Sequence, residues 1–223
     1  MLCRSTPSLI LLAACHSAPP SLPENPQLPA GVTPGLVSFD PTPPEGAHTW
    51  AAPTWHKGDH FELLWGGCQP LECTVTDVGE KEYTLVDGKG NELRRGRDLA
   101  NLGEQEKGAD HMTHVLEPAD YRFHWPLWIG KNWRCQYVDR AAGGNAWLIE
   151  AAYRVEGLDT VPTRAGTFQA LRIVRTARRL NVEGTYADRV WVIWYAPDIG
   201  LEVRQVLGDT SVELTRWTSA AKT

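Results

Sequence analysis

The stretch Trp147-Leu148-Ile149-Glu150-Ala151-Ala152-Tyr153-Arg154-Val155 decides the fold class. Trp147, Ile149, Ala151, Tyr153 and Val155 fall on one face of an extended chain, and Leu148, Glu150, Ala152 and Arg154 on the other. A period of two is that of a β-strand with one buried and one wetter face. Residues 133–138 repeat it, with Trp133, Cys135 and Tyr137 opposite Arg134, Gln136 and Val138. Working outward, residues 59–65, 72–78, 82–87, 168–178, 186–195, 201–207 and 211–217 read as further strands. The gaps carry turn residues, as in Asp87-Gly88-Lys89-Gly90-Asn91, Gly143-Gly144-Asn145 and Gly208-Asp209. Alternation broken by short turns predicts an all-β, antiparallel fold. A short helical turn is predicted near Asp98 to Glu104.

The whole chain has 223 residues, 22 Lys+Arg against 27 Asp+Glu, and a net charge of -5. Hydrophobic residues make up 42% and charged residues 22%, which is a globular composition. The acidic balance argues against a nucleic-acid partner, because phosphate binding needs a basic face. No apolar run is long enough for a transmembrane helix.

The N-terminus reads as an export address. Arg4 supplies a positive region and Ser8 to Ala14 a short apolar one. Leu12-Ala13-Ala14-Cys15 then resembles the lipobox of bacterial lipoproteins. The resemblance implies that residues 1–14 are a signal peptide and that Cys15 carries diacylglycerol and palmitate. Two or more acyl chains anchor a protein stably where one does not. The expected location is the cell envelope. His16, in place of an inner-membrane-retaining Asp, points to the outer membrane facing the periplasm in a Gram-negative cell. Residues 15–54 read as the lipidated cysteine and a Pro-rich tether, with nine prolines between 16 and 47. Fully extended, that stretch would reach on the order of 100 Å and lift the body off the headgroups. Residues 55–117 are expected to form a small β-subdomain and a polar link. Residues 118–217 would form the main antiparallel domain, and 218–223 a tail.

Three segments carry a second resemblance. They are Phe123-His124-Trp125-Pro126-Leu127-Trp128-Ile129-Gly130-Lys131-Asn132-Trp133, Val161-Pro162-Thr163-Arg164-Ala165-Gly166-Thr167-Phe168-Gln169-Ala170-Leu171-Arg172-Ile173 and Trp194-Tyr195-Ala196-Pro197-Asp198-Ile199-Gly200-Leu201-Glu202-Val203. Together they resemble a group of uncharacterised secreted bacterial β-proteins with a W-Y-A-P-x-x-G signature. The second segment departs from that group's pattern through Thr163-Arg164. The resemblance implies a strongly curved sheet or partial barrel and no catalytic residues; the smaller N-terminal β-subdomain, too short for a core of its own, is expected to pack on that sheet.

Candidate chemistry is sparse. His56, His60, His111, His114 and His124, with Asp59 and Asp110, invite a metal reading, but no metal-ligand motif joins them. No nucleophile elbow, P-loop or dinucleotide fingerprint is present. The expectation is therefore no catalytic residue, no metal and no cofactor. With Cys3 in the signal and Cys15 lipidated, Cys68, Cys73 and Cys135 remain. Cys68 and Cys73 flank Gln-Pro-Leu-Glu, read as a hairpin turn, and are expected to form a disulfide; Cys135 is expected to be a buried thiol. The unusual payload is 10 Trp. Trp125, Trp128 and Trp133, with Tyr137, are the candidate lining of an aromatic groove for an amphipathic ligand, against a reading of the same rings as core. Arg134, Glu150 and Arg154 would then face outward. The sequence thus predicts a membrane-anchored envelope lipoprotein acting as a non-catalytic binding or structural module. Its partners would be the membrane, through Cys15, and an amphipathic ligand or envelope protein. A periplasmic hydrolase or metal-dependent enzyme is the alternative.

Overall fold

The computed structural model describes residues 20–180 and 189–222, so the signal peptide and Cys15 lie outside the described residues. Among the described residues thirteen strands follow in chain order: β1 (Gly35–Phe39), β2 (His60–Trp65), β3 (Gln69–Val78), β4 (Glu82–Asp87), β5 (Glu92–Gly96), β6 (Asn101–Gln105), β7 (His114–Asp120), β8 (Asn132–Ala141), β9 (Ala146–Thr163), β10 (Gly166–Arg179), β11 (Arg189–Ala196), β12 (Leu201–Leu207) and β13 (Thr210–Thr218). β2 to β13 each pair antiparallel with their sequence neighbours. β13 also pairs with β2, so the sheet closes into a twelve-stranded barrel with β1 as an extra strand. The all-β, antiparallel expectation holds, and the curvature runs to full closure. The strands of 55–117 and those of 118–217 share this one sheet, joined at β7–β8 and β13–β2.

Closure removes the unpaired edges that an open sheet would expose. The alternating side chains then sort themselves by face. Trp133, Cys135, Tyr137, Ile149, Ala151, Tyr153, Val155, Leu171, Ile173, Ile193 and Tyr195 join one core cluster inside the wall. The rings of Trp133 and Tyr153 stack with centroids 5.1 Å apart, worth about 0.5–1.5 kcal/mol beyond their burial. Outside, Glu150 is held between Arg134 and Arg178, each at 2.7 Å. Arg172 pairs with Glu156 at 3.3 Å and Asp159 at 3.1 Å, and Arg154 is exposed. A barrel wall in hydrocarbon carries an apolar band on its outer face; the outer face of β8, β9 and β10 carries these ion pairs instead.

Three local expectations are corrected. Residues 98–104 form no helical turn; most of them belong to β6, and β7 follows within the supposed link. β6 is possible because Gly103, at φ 149°, lets the His114 backbone approach: a Cβ there would lie 2.2 Å from the His114 carbonyl oxygen. The Pro-rich tether is not a free spacer. Its Gly35–Phe39 pairs with Gln136 to Trp133 of β8, on the edge that β7 leaves open. Asn132 then donates to Asp40 from its backbone N–H at 2.8 Å, and Trp50 bridges to Leu127.

The disulfide expectation is also corrected: Cys68 and Cys73 are free thiols. The β2–β3 turn falls at residues 66–68, and Gln69 to Cys73 already run within β3. An extended chain rises ~3.3 Å per residue, so five positions along it separate the two cysteines far beyond bridging distance.

Candidate functional site

Alternate turns of an antiparallel barrel lie at the same end. One rim therefore collects the β2–β3, β4–β5, β6–β7, β8–β9 and β12–β13 turns. At this rim a cavity of about 180 Å³ opens into the barrel, lined by Tyr137, Asp139, Ile149, Arg175, Ala177, Arg178, Arg179, Arg189 and Trp191. These side chains come from β8, β9, β10 and β11, which bring them together by register: Ala177 pairs with both Ala151 and Arg189, and Ile149 with both Tyr137 and Arg179.

The floor of the cavity is an internally satisfied polar cluster. Arg175 donates from Nε to the Tyr153 hydroxyl at 2.9 Å and from Nη2 to the Tyr137 hydroxyl at 2.7 Å. Its guanidinium lies 3.5 Å from Asp120, and Tyr153 donates a short hydrogen bond to the same carboxylate. Arg175 and Asp120 are almost completely buried. Burial works against the Arg175 charge, but Tyr153, Asp120 and Tyr137 outweigh it and hold its pKa above the ordinary guanidinium value. Burial pushes the hydroxyls of Tyr153 and Tyr137 well up, and the Cys135 thiol to about 12. These groups stay protonated and act as donors or as packing, so Cys135 is an inert buried thiol.

The walls above that floor are cationic and aromatic. The Arg175 guanidinium stacks 4.3 Å over the Trp191 ring, and that of Arg179 lies 4.0 Å over Trp147. The Trp191 indole N–H is buried and has no hydrogen-bond partner among the described residues. A desolvated donor beside arginines is a place where an anionic acceptor would be stabilised. The one acidic wall residue, Asp139, is engaged by His114 Nε2 at 2.8 Å. That hydrogen bond raises the His114 pKa against the opposing effect of burial.

Deeper in the lumen a second cavity of about 120 Å³ is lined by Trp55, Phe61, Leu63, Arg95, Arg122, Tyr195, Glu202 and Gln205 among others. Arg122 pairs with Glu202 at 2.6 Å. Burial, and then the neighbouring Arg122, hold the Arg95 pKa below its ordinary value. At the opposite rim a pocket of about 300 Å³ includes His56, Asp59 and His60. Their polar atoms serve the chain itself: Asp59 accepts from the backbone N–H groups of His56 and Ala220, and His60 meets Thr74 at 2.9 Å. Among the described residues no three metal-ligating side chains converge.

The expected aromatic groove is not where the sequence put it. Trp128 and Trp133 are buried, and Trp125 donates its indole N–H to the Asp98 carbonyl at 2.7 Å. Lys131 packs 4.1 Å over the Trp128 ring and donates to the Pro126 carbonyl, and burial lowers its pKa to about 8. These indoles clip the β7–β8 connection and the strand after it into the core. Of the four residues only Tyr137 reaches the mouth. Arg175, Trp191 and Arg189, which build the mouth, were missed. One signal was legible: Arg175 sits in phase with Leu171, Ile173 and Ala177, a charge within an inward apolar stripe.

No family model matches the chain, and no curated protein matches it. Among solved structures the chain is similar to the hypothetical lipoprotein YmcC of Escherichia coli K12, at 9% identity and a TM-score of 0.49, over 74% of this chain and 89% of that one. It is also similar to an inferred lipoprotein of Parabacteroides distasonis, at 10% identity and a TM-score of 0.42, over 76% and 99% of the two chains. An inferred exported protein with a YmcC-like fold from Bacteroides fragilis matches at 13% identity and a TM-score of 0.41, over 77% and 100%. All three scores fall below 0.5, and the barrel is defined by its own strand pairings.

Proposed function

We propose that the protein is a lipid-anchored lipoprotein of the bacterial cell envelope, and that its barrel is a non-catalytic binding module for an anionic amphipathic ligand. The observation that supports binding is the mouth itself. Arginines and the Trp191 indole face an open cavity, above a floor whose charges are already paired. Such a floor holds a shape rather than moving protons or attacking bonds, and the walls suit a ligand with a negative head and an apolar body. The lipobox Leu12-Ala13-Ala14-Cys15 supports the anchor. Outer-membrane attachment facing the periplasm follows from His16 by the retention argument above. The reading is tested by expressing the protein and Cys15→Ala with radiolabelled palmitate. The native chain is expected to incorporate label, and Cys15→Ala none. Label in the variant would refute the anchor.

A further inference from the structure

The path of the tether determines which end of the barrel meets the membrane. β8 runs from Asn132 at one rim to Ala141 at the other, where residues 142–145 turn into β9. The tether runs beside it in the opposite sense. Pro20 lies against Gly143 in that turn: a Cβ on Gly143 would be 3.8 Å from the Pro20 ring. Gly35 pairs with Gln136 and Phe39 with Trp133, further down the same strand. The N-terminal segment therefore leaves the barrel at the rim that holds the arginine-lined mouth. Cys15 precedes Pro20 by five residues, a reach of at most about 18 Å. Asp139 and Ile149, in the mouth, lie within four strand positions of the same turn, or about 13 Å.

We infer that the barrel sits mouth-down on the bilayer and that the mouth takes the headgroup of an anionic phospholipid. The inference rests on lipidation of Cys15. It replaces a body held away from the surface with one whose cavity opens onto it. The chemistry of the mouth agrees. Arg189 and the Trp191 N–H, which has no partner among the described residues, offer donors to a phosphate, while Trp191 and Ile149 offer apolar contact to the first carbons of an acyl chain. A short tether also raises the effective concentration of headgroups at the mouth, so weak intrinsic affinity is enough for occupancy.

Cys68 supplies a native probe. It is exposed in the β2–β3 turn of the same rim, whereas Cys73 and Cys135 are buried, with thiol pKa values pushed up to about 11 and about 12. The full-length acylated protein, labelled with a fluorophore at Cys68, is placed in phosphatidylcholine–phosphatidylglycerol vesicles containing a nitroxide-headgroup lipid. A second sample carries Cys68→Ser with Glu80→Cys, labelled in the exposed β3–β4 turn of the opposite rim. Strong quenching at Cys68 and little at Glu80→Cys is expected; equal or reversed quenching overturns the orientation. Intact mass reads acylation separately. An unacylated chain overturns the anchor, and the orientation with it, whereas an acylated chain quenched at the wrong rim overturns the orientation alone. Titration of the labelled protein with short-chain phosphatidylglycerol, short-chain phosphatidylcholine and inorganic phosphate tests the ligand. Saturable binding of the first, weakened about tenfold by Arg189→Glu, is expected. Equal binding of phosphatidylcholine, or phosphate binding as tightly as the lipid, overturns the headgroup assignment.

Discussion

Arg175 shows how one residue sets both stability and site. It is buried among Asp120, Tyr137 and Tyr153, and it forms the floor on which the mouth is built. Removing it would leave Asp120 charged and nearly unpaired in the lumen. Arg175→Met is expected to cost about 3–5 kcal/mol, read as a lower urea midpoint. The double variant Asp120→Asn/Arg175→Met should recover part of that loss, since no lone charge then remains. A single variant as stable as the native chain would show that water reaches the cluster. His114 carries the pH dependence. Its folded-state pKa is raised, so its pair with Asp139 contributes fully below about pH 6.5 and is lost as pH rises through the raised value. Asp139→Asn should therefore cost about 1 kcal/mol at low pH and little above pH 8. Urea midpoints at the two pH values check this; equal losses would mean that the His114 proton plays no part.

At the scale of elements, the strands read from alternation match closely where one face is apolar and the other charged. β4 and β12 fall where the period of two puts them. β9 runs on to Thr163, eight residues past the point where the alternation stops being legible. The reason is a bulge: Ile173 pairs with Val155 but Arg172 with Gly157, so Glu156 is an extra residue and the phase shifts. β1 was illegible because five residues among prolines have no burial of their own; β8's open edge makes them a strand. The Ala196–Gly200 turn was legible. Gly200 has φ 69°, its N–H donates to the Ala196 carbonyl at 2.9 Å, and its carbonyl accepts from the Trp55 indole at 3.0 Å. A Cβ there would lie 2.7 Å from the Pro53 side chain. Gly200→Val combines left-handed backbone strain with that clash and is expected to destabilise by about 2–4 kcal/mol, lowering the melting temperature. No shift would mean that the segment carrying Pro53 and Trp55 can move away freely.

For the whole molecule the governing fact is closure. β2 and β13 pair although about 150 residues lie between them, and the core runs through strands from both halves of the chain. Neither half can pair all its edges without the other. A single cooperative unfolding transition is expected, with near-ultraviolet circular dichroism and intrinsic fluorescence following one curve. Two separated transitions would show that the N-terminal strands fold as a unit of their own. By itself the sequence determined the all-β class, the outward placement of Arg134, Glu150 and Arg154, and turns such as those at Gly143-Gly144-Asn145 and Gly208-Asp209. Those depend on local period and on backbone preferences that neighbouring residues carry with them. Only the tertiary structure decided that the sheet closes, that Trp128 and Trp133 are core, that Cys68 and Cys73 stay apart, and that arginines from β10 and β11 meet Tyr137 and Trp191 at one mouth. Those depend on register between strands distant in sequence, where a shift of one residue turns every side chain to the opposite face.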